Sequence, residues 1–306
     1  MVCYHPILAW QSINPKPNGK RAIMFGMPSA NVLNKWQQIN IPCGQCIGCR
    51  LDYSRQWAVR CVHEAKLHEQ NCFITLTYDE DNVPWSTITG EQTLVKKHHQ
   101  DFMKRLRDYY YPTKIRFYLC GEYGETTHRP HYHAILFGFD FPDKLLYKVS
   151  PLGHKYYMSP TLNKLWGHGL CVIADVSFDS CAYVARYVMK KVKGEAAQDY
   201  YYGVQPEYVA MSRRPGIAAE WYQKYKGDVY PYDEVVIRSN GKVRKLKPPR
   251  YYDKLYDLDD PDSFAAIKDK RMAKGKAREE DIYNGRLEKK ERYKQLCIEK
   301  LERKLD

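Results

Sequence analysis

The chain has 306 residues, 44% hydrophobic content and a formal charge of +13 from 49 Lys/Arg against 36 Asp/Glu. That composition excludes wholesale disorder, and the longest apolar runs, such as Ala134 to Phe137, fall far short of the ~20 residues of a membrane span. The opening MVCYHPILAWQS is too poor in consecutive apolar residues for a signal-peptide core, so the expectation is a soluble, intracellular protein whose default partner is a polyanion, nucleic acid first.

Residues 1–60 are dense in turn signals (Asn14-Pro15, Pro17-Asn18-Gly19, Met27-Pro28-Ser29) and read as irregular. Leu51, Trp57, Cys61 and Leu67 fall near one face of a helix over 51–69. CFITLTY (72–78) reads as a strand, with Cys72, Ile74, Leu76 and Tyr78 on an apolar face and Phe73, Thr75 and Thr77 on a semi-polar one. Leu94, His98, Phe102, Leu106 and Tyr110 form a helical stripe over 93–110. KIRFYLCGE (114–122) and HYHAILFGF (131–139) read as two strands joined by a turn containing Gly124. After a polar connection, GLCVIADVS (169–177) reads as another strand. Ser177 or Asp179 is placed to cap a helix over 180–192, stopped by Gly194.

The order strand, helix, strand, strand, strand, helix predicts an α+β fold, an antiparallel sheet with helices on one face. The chain divides into an N-terminal region with a Cys-rich loop (1–70), a core (71–194), a basic accessory region (195–264) and a charged helical or mobile tail (265–306). The 27 tyrosines against 9 phenylalanines suit a surface that stacks bases, although tyrosines fill cores and rims as well.

In HRPHYHAILFG, His131 and His133 lie two apart on a strand and project from one face, as two imidazoles must to share one metal ion. In AYVARYVMKK, Tyr183 and Tyr187 share a helix face, with Lys190 and Lys191 three and four residues beyond Tyr187. A phenol is a poor nucleophile at its ordinary pKa of about 10. Nearby lysines and a metal-polarised electrophile are the setting in which its oxygen attacks a phosphate. The plainer readings are two strand histidines without a ligand role and a packed tyrosine stripe.

These residues resemble a known group. His131-Tyr132-His133 has the form of the HUH motif, the Tyr183/Tyr187 pair is similar to the two-tyrosine helix of HUH endonucleases that start rolling-circle replication, and FITLTY (73–78) is similar to their first strand motif. With PCGQCIGCR, GEYG, RPHYHAILFG, YVARYV and MSRRPGI, the chain resembles the replication initiators of gokushoviruses, single-stranded DNA phages of the Microviridae, over about residues 41 to 222. The resemblance implies an HUH fold with the histidine strand central and the tyrosine helix across the site. It also implies Mg²⁺ or Mn²⁺ at His131 and His133, and nicking and rejoining of DNA through a 5′-phosphotyrosyl intermediate that leaves a free 3′-OH. The implied partners are single-stranded or replicative-form phage DNA with host helicase and polymerase, in the host bacterial cytoplasm, without membrane or small-molecule substrate.

Hard cations prefer oxygen, so a carboxylate is expected to complete the site. Glu122, ending the strand before the histidine hairpin, is the first choice over Glu125 and His128 in the turn. Related initiators often carry lysine between or after the tyrosines; here Arg186 stands between them, so Lys190 and Lys191 are the expected phosphate partners. Cys43, Cys46 and Cys49 form C-x-x-C-x-x-C, read as a structural zinc loop with Cys3, Cys61 or His63 as possible fourth ligand. An iron–sulfur run would continue to a further cysteine and proline, whereas Arg50-Leu51-Asp52-Tyr53 follow. Arg213, Arg214, Lys245, Lys247 and Arg250 are candidate phosphate contacts. The alternative from another class is a non-catalytic, RRM-like nucleic-acid-binding module with a zinc loop.

Overall fold

The β-branched and aromatic alternation of residues 71–77 is realised as a strand near the middle of the largest sheet. The computed structural model describes residues 3–14, 21–124, 126–151, 153–186, 192, 196–239, 241–276 and 285–299. In chain order the strands and helices are β1 (Ile7–Ser12), β2 (Ile23–Met24), β3 (Trp36–Ile41), α1 (Ile47–Ala65), β4 (Asn71–Thr77), α2 (Lys96–Tyr109), β5 (Arg116–Tyr123) and β6 (Pro130–Phe137). There follow β7 (Leu145–Val149), β8 (Lys155–Met158), α3 (Pro160–Trp166), β9 (Cys171–Ala174), α4 (Phe178–Arg186), α5 (Ala196–Tyr200) and β10 (Tyr208–Met211). The last elements are α6 (Ala219–Val229), β11 (Val235–Ser239), β12 (Lys242–Leu246), α7 (Arg250–Asp259), α8 (Pro261–Lys276) and α9 (Arg286–Glu299). The chain forms two compact units, Met1–Asp52 with Lys270–Asp306, and Tyr53–Asp269.

The larger unit is built on a seven-stranded sheet in the order β10-β5-β6-β4-β9-β8-β7, every pair antiparallel. Cys72, Ile74 and Leu76 of β4, Tyr132, Ala134 and Leu136 of β6 and Leu119 of β5 share one face. There they pack against Phe102, Met103 and Leu106 of α2 and Leu162, Leu165 and Trp166 of α3, forming the main core. Helix α3 is closed at both ends by local chemistry: the Ser159 hydroxyl accepts from the Leu162 amide, Pro160 opens the helix, and Gly167 ends it with a φ of 68°. The Trp166 indole donates to the Thr77 carbonyl (2.6 Å), locking the helix to the end of β4. The chain then returns past that end so closely that a Cβ on Gly169 (φ +147°) would lie 2.5 Å from the Asp79 amide nitrogen, which only glycine allows.

The expectation of helices on one face is corrected by the structure. The opposite face of β5 and β6 carries Tyr118, Cys120, Ile135 and Phe137, all buried, so it too needs a cover. Helices α1 and α4 supply it: the Trp57 ring lies 4.9 Å from Tyr118, and Tyr183 packs on Phe73 and His133. The region read as irregular is also corrected. Within the smaller unit, β1 pairs antiparallel with β2 and with β3, Ile7 opposite Ile41 through Ser12 opposite Trp36. Its glutamine-rich strands and long separation left no local signature. The polar connection after β6 contains the exposed β7–β8 hairpin, and the stretch read as a tail carries α9 and most of α8.

Helix α4 begins at Phe178, two residues earlier than expected. The Ser177 hydroxyl accepts from the Ser180 amide (3.1 Å) while the Ser180 hydroxyl accepts from the Ser177 amide (2.8 Å), a reciprocal cap that fixes the helix start. Its expected continuation to 192 and stop at Gly194 fall mostly outside the described residues.

On α1, His63 is buried with its ring stacked on Trp221 (3.5 Å between centroids) and its Nδ1 accepting from the Tyr252 hydroxyl (2.9 Å). Burial, with Lys66 second, pushes its pKa down to about 3, below the ordinary imidazole value of about 6.5. Between those values the unfolded chain binds a proton that the folded chain refuses, so stability falls as pH drops through that window. His63→Gln should flatten the dependence of unfolding free energy on pH between about 6.5 and 3 by up to about 1.4 kcal/mol per pH unit, read from urea melts across that range.

Candidate metal and nucleophile site

The two-residue period of β6 and its register with both neighbours build the site. His131 stands opposite Glu122 of β5 and Thr77 of β4; His133 stands opposite Cys120 and Thr75. These residues share one face, and Tyr132 points to the other, into the core. There its hydroxyl contacts Tyr78 (2.8 Å), donates to the Val95 carbonyl (2.9 Å) and accepts from the Val95 amide (3.1 Å). The bulky residue between the histidines is therefore the anchor that holds their strand against the residue preceding α2.

On the site face, His131 Nε2 lies 2.7 Å and His133 Nε2 3.0 Å from the same oxygen, Glu122 Oε1. The two rings stand nearly perpendicular, at 87°. His131 Nδ1 is 3.1 Å from the Arg129 carbonyl, which can only accept, so Nδ1 carries the hydrogen and Nε2 of the neutral ring presents a lone pair. His133 Nδ1 is held by the Thr75 hydroxyl at 3.0 Å. Two imidazole nitrogens and a carboxylate oxygen thus lie within 4.8 Å of one another with acceptor lone pairs converging, an arrangement that needs a cation between them. Burial by itself would push the Glu122 carboxyl up, but the hydrogen bonds and charges of His131 and His133 outweigh it and hold it down to about 2. Glu122 is 1% exposed, so the site contains a fixed anion in a largely dry setting.

The Tyr183 ring meets His133 edge-on at 5.2 Å, and Phe73 stacks on the other side of that imidazole at 5.5 Å. The structure therefore gathers Glu122, His131, His133 and Tyr183 on one face of the sheet. Tyr187, Lys190 and Lys191, and Glu125 of the alternative ligands, lie outside the described residues; His128 is exposed in the turn. Among the described residues, Cys3 joins Cys43, Cys46 and Cys49 in a second cluster of potential metal ligands. Of the other fourth-ligand choices, Cys61 is buried in the larger unit and His63 is stacked on Trp221.

Arg213 and Arg214 are exposed after β10, Arg250 opens α7, and Lys247 precedes it, its carbonyl accepting from Arg55. Lys245 of β12 is paired with Glu234 at 2.7 Å. Thr75 and Phe73 escaped the assignment of site residues, although the alternation of FITLTY had already put both on the semi-polar face.

Residues 71–192 match the family of the replication-associated protein ORF2. The chain is 32% identical over 248 residues to Replication-associated protein ORF2 of Spiroplasma virus 4, covering 78% of this chain and 76% of that protein. It is 31% identical over 248 residues to Replication-associated protein VP4 of Bdellovibrio phage phiMH2K, covering 79% and 77%. Over 160 residues it is 38% identical to Replication-associated protein ORF4 of Chlamydia phage 1, covering 49% and 38%. No solved structure is a significant match.

Tyr132→Phe removes a hydroxyl that serves Tyr78 and both polar groups of Val95. It should lower stability by about 1–3 kcal/mol in urea unfolding, because the Val95 amide and carbonyl are left without that partner.

Proposed function

The chain belongs to the family of phage replication-associated proteins, and we propose that it is a rolling-circle replication initiator of the HUH endonuclease type, nicking and rejoining single-stranded DNA with a tyrosine nucleophile. The observation that carries this reading is the convergence of Glu122, His131 and His133 on one point with Tyr183 packed against His133. Glu122, His131 and His133 would hold one divalent cation: two imidazoles and a carboxylate suit Mn²⁺, and Mg²⁺ is served through the carboxylate and water. Such an ion, when bound, supplies Lewis-acid polarisation of the scissile phosphate.

The protein's own part follows from its side chains. Thr75 and the Arg129 carbonyl orient the two imidazoles so that their Nε2 atoms face the site. Tyr183 offers its phenol oxygen for attack at phosphorus. The new bond joins tyrosine to the 5′-phosphate while the bond to the 3′-oxygen breaks, leaving a 3′-hydroxyl that a host polymerase can extend. Tyr187, one helical turn on in sequence, gives a second nucleophile for the reverse transfer that closes the circle, and Lys190 and Lys191 offset phosphate charge. Arg213, Arg214, Lys245, Lys247 and Arg250 contribute to backbone contacts with phage DNA, single-stranded or replicative-form. A host helicase and the host cytoplasm complete the setting this chemistry requires. Among the described residues, no helix is long and apolar enough to cross a membrane.

The test is incubation with labelled single-stranded DNA spanning the source genome, with Mn²⁺ or with chelator, resolved on denaturing gels. A covalent protein–DNA adduct that requires metal is expected from the wild type and absent from the Tyr183→Phe/Tyr187→Phe double variant; each single variant reports which oxygen acts first. Salt-sensitive DNA binding with no adduct on any segment would overturn the reading in favour of a non-catalytic binding module. Thr75→Val keeps the side-chain shape but frees His133 Nδ1, and should weaken Mn²⁺ binding by about 10–100-fold in calorimetric titration.

A further inference from the structure

Cys3, Cys43, Cys46 and Cys49 lie in the smaller unit and take no part in the nicking chemistry. Their four sulfurs fall within 4.8 Å of one another, and all four cysteines are free thiols. The sulfurs of Cys3 and Cys46 are 3.9 Å apart, far beyond the disulfide bond length of about 2.05 Å. Around one tetrahedral ion with metal–sulfur bonds of about 2.3 Å, neighbouring ligand sulfurs stand about 3.8 Å apart, the scale observed here. The thiolates of an iron–sulfur cluster bind different iron atoms and must spread further, so the spacing points to a single ion.

The backbone is arranged to stabilise negative sulfur. Cys43 Sγ accepts from the amides of Gln45 (3.4 Å) and Cys46 (3.3 Å). Cys46 Sγ accepts from the amides of Cys49 (3.5 Å) and Tyr4 (3.3 Å), and Cys3 Sγ from the amide of Cys43 (3.2 Å). Gly44, at a φ of 75°, makes the turn that aims two consecutive amides at Cys43. Cys46 immediately precedes α1 and Cys49 sits in its first turn, where the free amides and helix dipole favour thiolate. Four sulfurs converging on one point and served by five amide donors are far more than four neutral thiols need.

We infer that Cys3, Cys43, Cys46 and Cys49 form a closed tetrathiolate site for one structural zinc ion. Zn²⁺ carries no redox chemistry and takes four sulfurs tetrahedrally, and with every position filled by cysteine no place remains for water or substrate. The ion ties the segment ahead of β1 to the β3–α1 junction, 40 residues on. It thereby closes a small unit whose three-stranded sheet has little core of its own, with Ala9 the only fully buried residue among the described residues of its strands.

The test is elemental analysis by plasma mass spectrometry on the untagged full chain, purified under reducing conditions. About one zinc per chain is expected, retained in a His131→Ala/His133→Ala variant and reduced about tenfold or more in Cys3→Ser. As a measurement that needs no variant, the wild-type chain stripped of metal and titrated with Co²⁺ should develop the intense visible bands and sulfur-to-metal charge-transfer absorption of a tetrahedral tetrathiolate. Iron in place of zinc, zinc that persists in Cys3→Ser, or zinc lost only in the histidine variant would each overturn the assignment. So would a chain that holds no zinc and gives no tetrahedral cobalt spectrum. Adduct formation on DNA is scored separately, so failure of either reading leaves the other standing.

Discussion

The rest of the larger unit depends on the register of β6 between β5 and β4. With side chains alternating at a period of two, His131 and His133 face Glu122 only because Tyr132 faces the core. A slip by one residue would drive two imidazoles into the apolar layer beneath α2 and α3 and turn a tyrosine onto the site. The Tyr132 hydroxyl, bonded to Tyr78 and to both polar groups of Val95, makes that slip costly. Core packing and metal-ligand geometry are therefore one constraint expressed on two faces of one strand.

The electrostatics follow from the same placement. A carboxylate as buried as Glu122 is tolerated only when positive charge or donors meet it, and both imidazoles are aimed at a single oxygen. Thr75 and the Arg129 carbonyl orient those rings from behind, as supporting contacts do at metal sites. Covering this face with α1 and α4 excludes water and brings Tyr183 against His133, where the reciprocal Ser177–Ser180 cap sets the start of its helix. A helix covering the face opposite the main core is thus part of the site as well as part of the packing.

The two ligand clusters differ in chemistry as their proposed tasks require. Two nitrogens and one oxygen leave coordination positions open for a phosphate, suited to a hard or borderline ion that works on substrate. Four sulfurs with five amide donors leave none, suited to holding a small unit together. Each cluster sits where short-range sequence geometry is strongest, one on alternate residues of a strand and the other on a turn entering a helix.

Much of this was legible in the residues themselves. His131-Tyr132-His133 and Glu122 lie on strands whose alternation is visible without coordinates, and Cys43, Cys46 and Cys49 are spaced to converge around a turn. Strand or helix type, face and local ligand spacing were determined by sequence because they depend on a period of 2 or 3.6 and on neighbours a few residues away. Thr75 as partner of His133, Cys3 rather than Cys61 or His63 beside the cysteine loop, the pairing of β1 with β3 and the helices on both faces were decided only by tertiary structure. Those contacts join residues tens of positions apart, and many such pairings satisfy the same local pattern. Only the packing of the whole chain, which must bury Tyr118, Ile135 and Phe137 as well as Ile74 and Leu136, selects one.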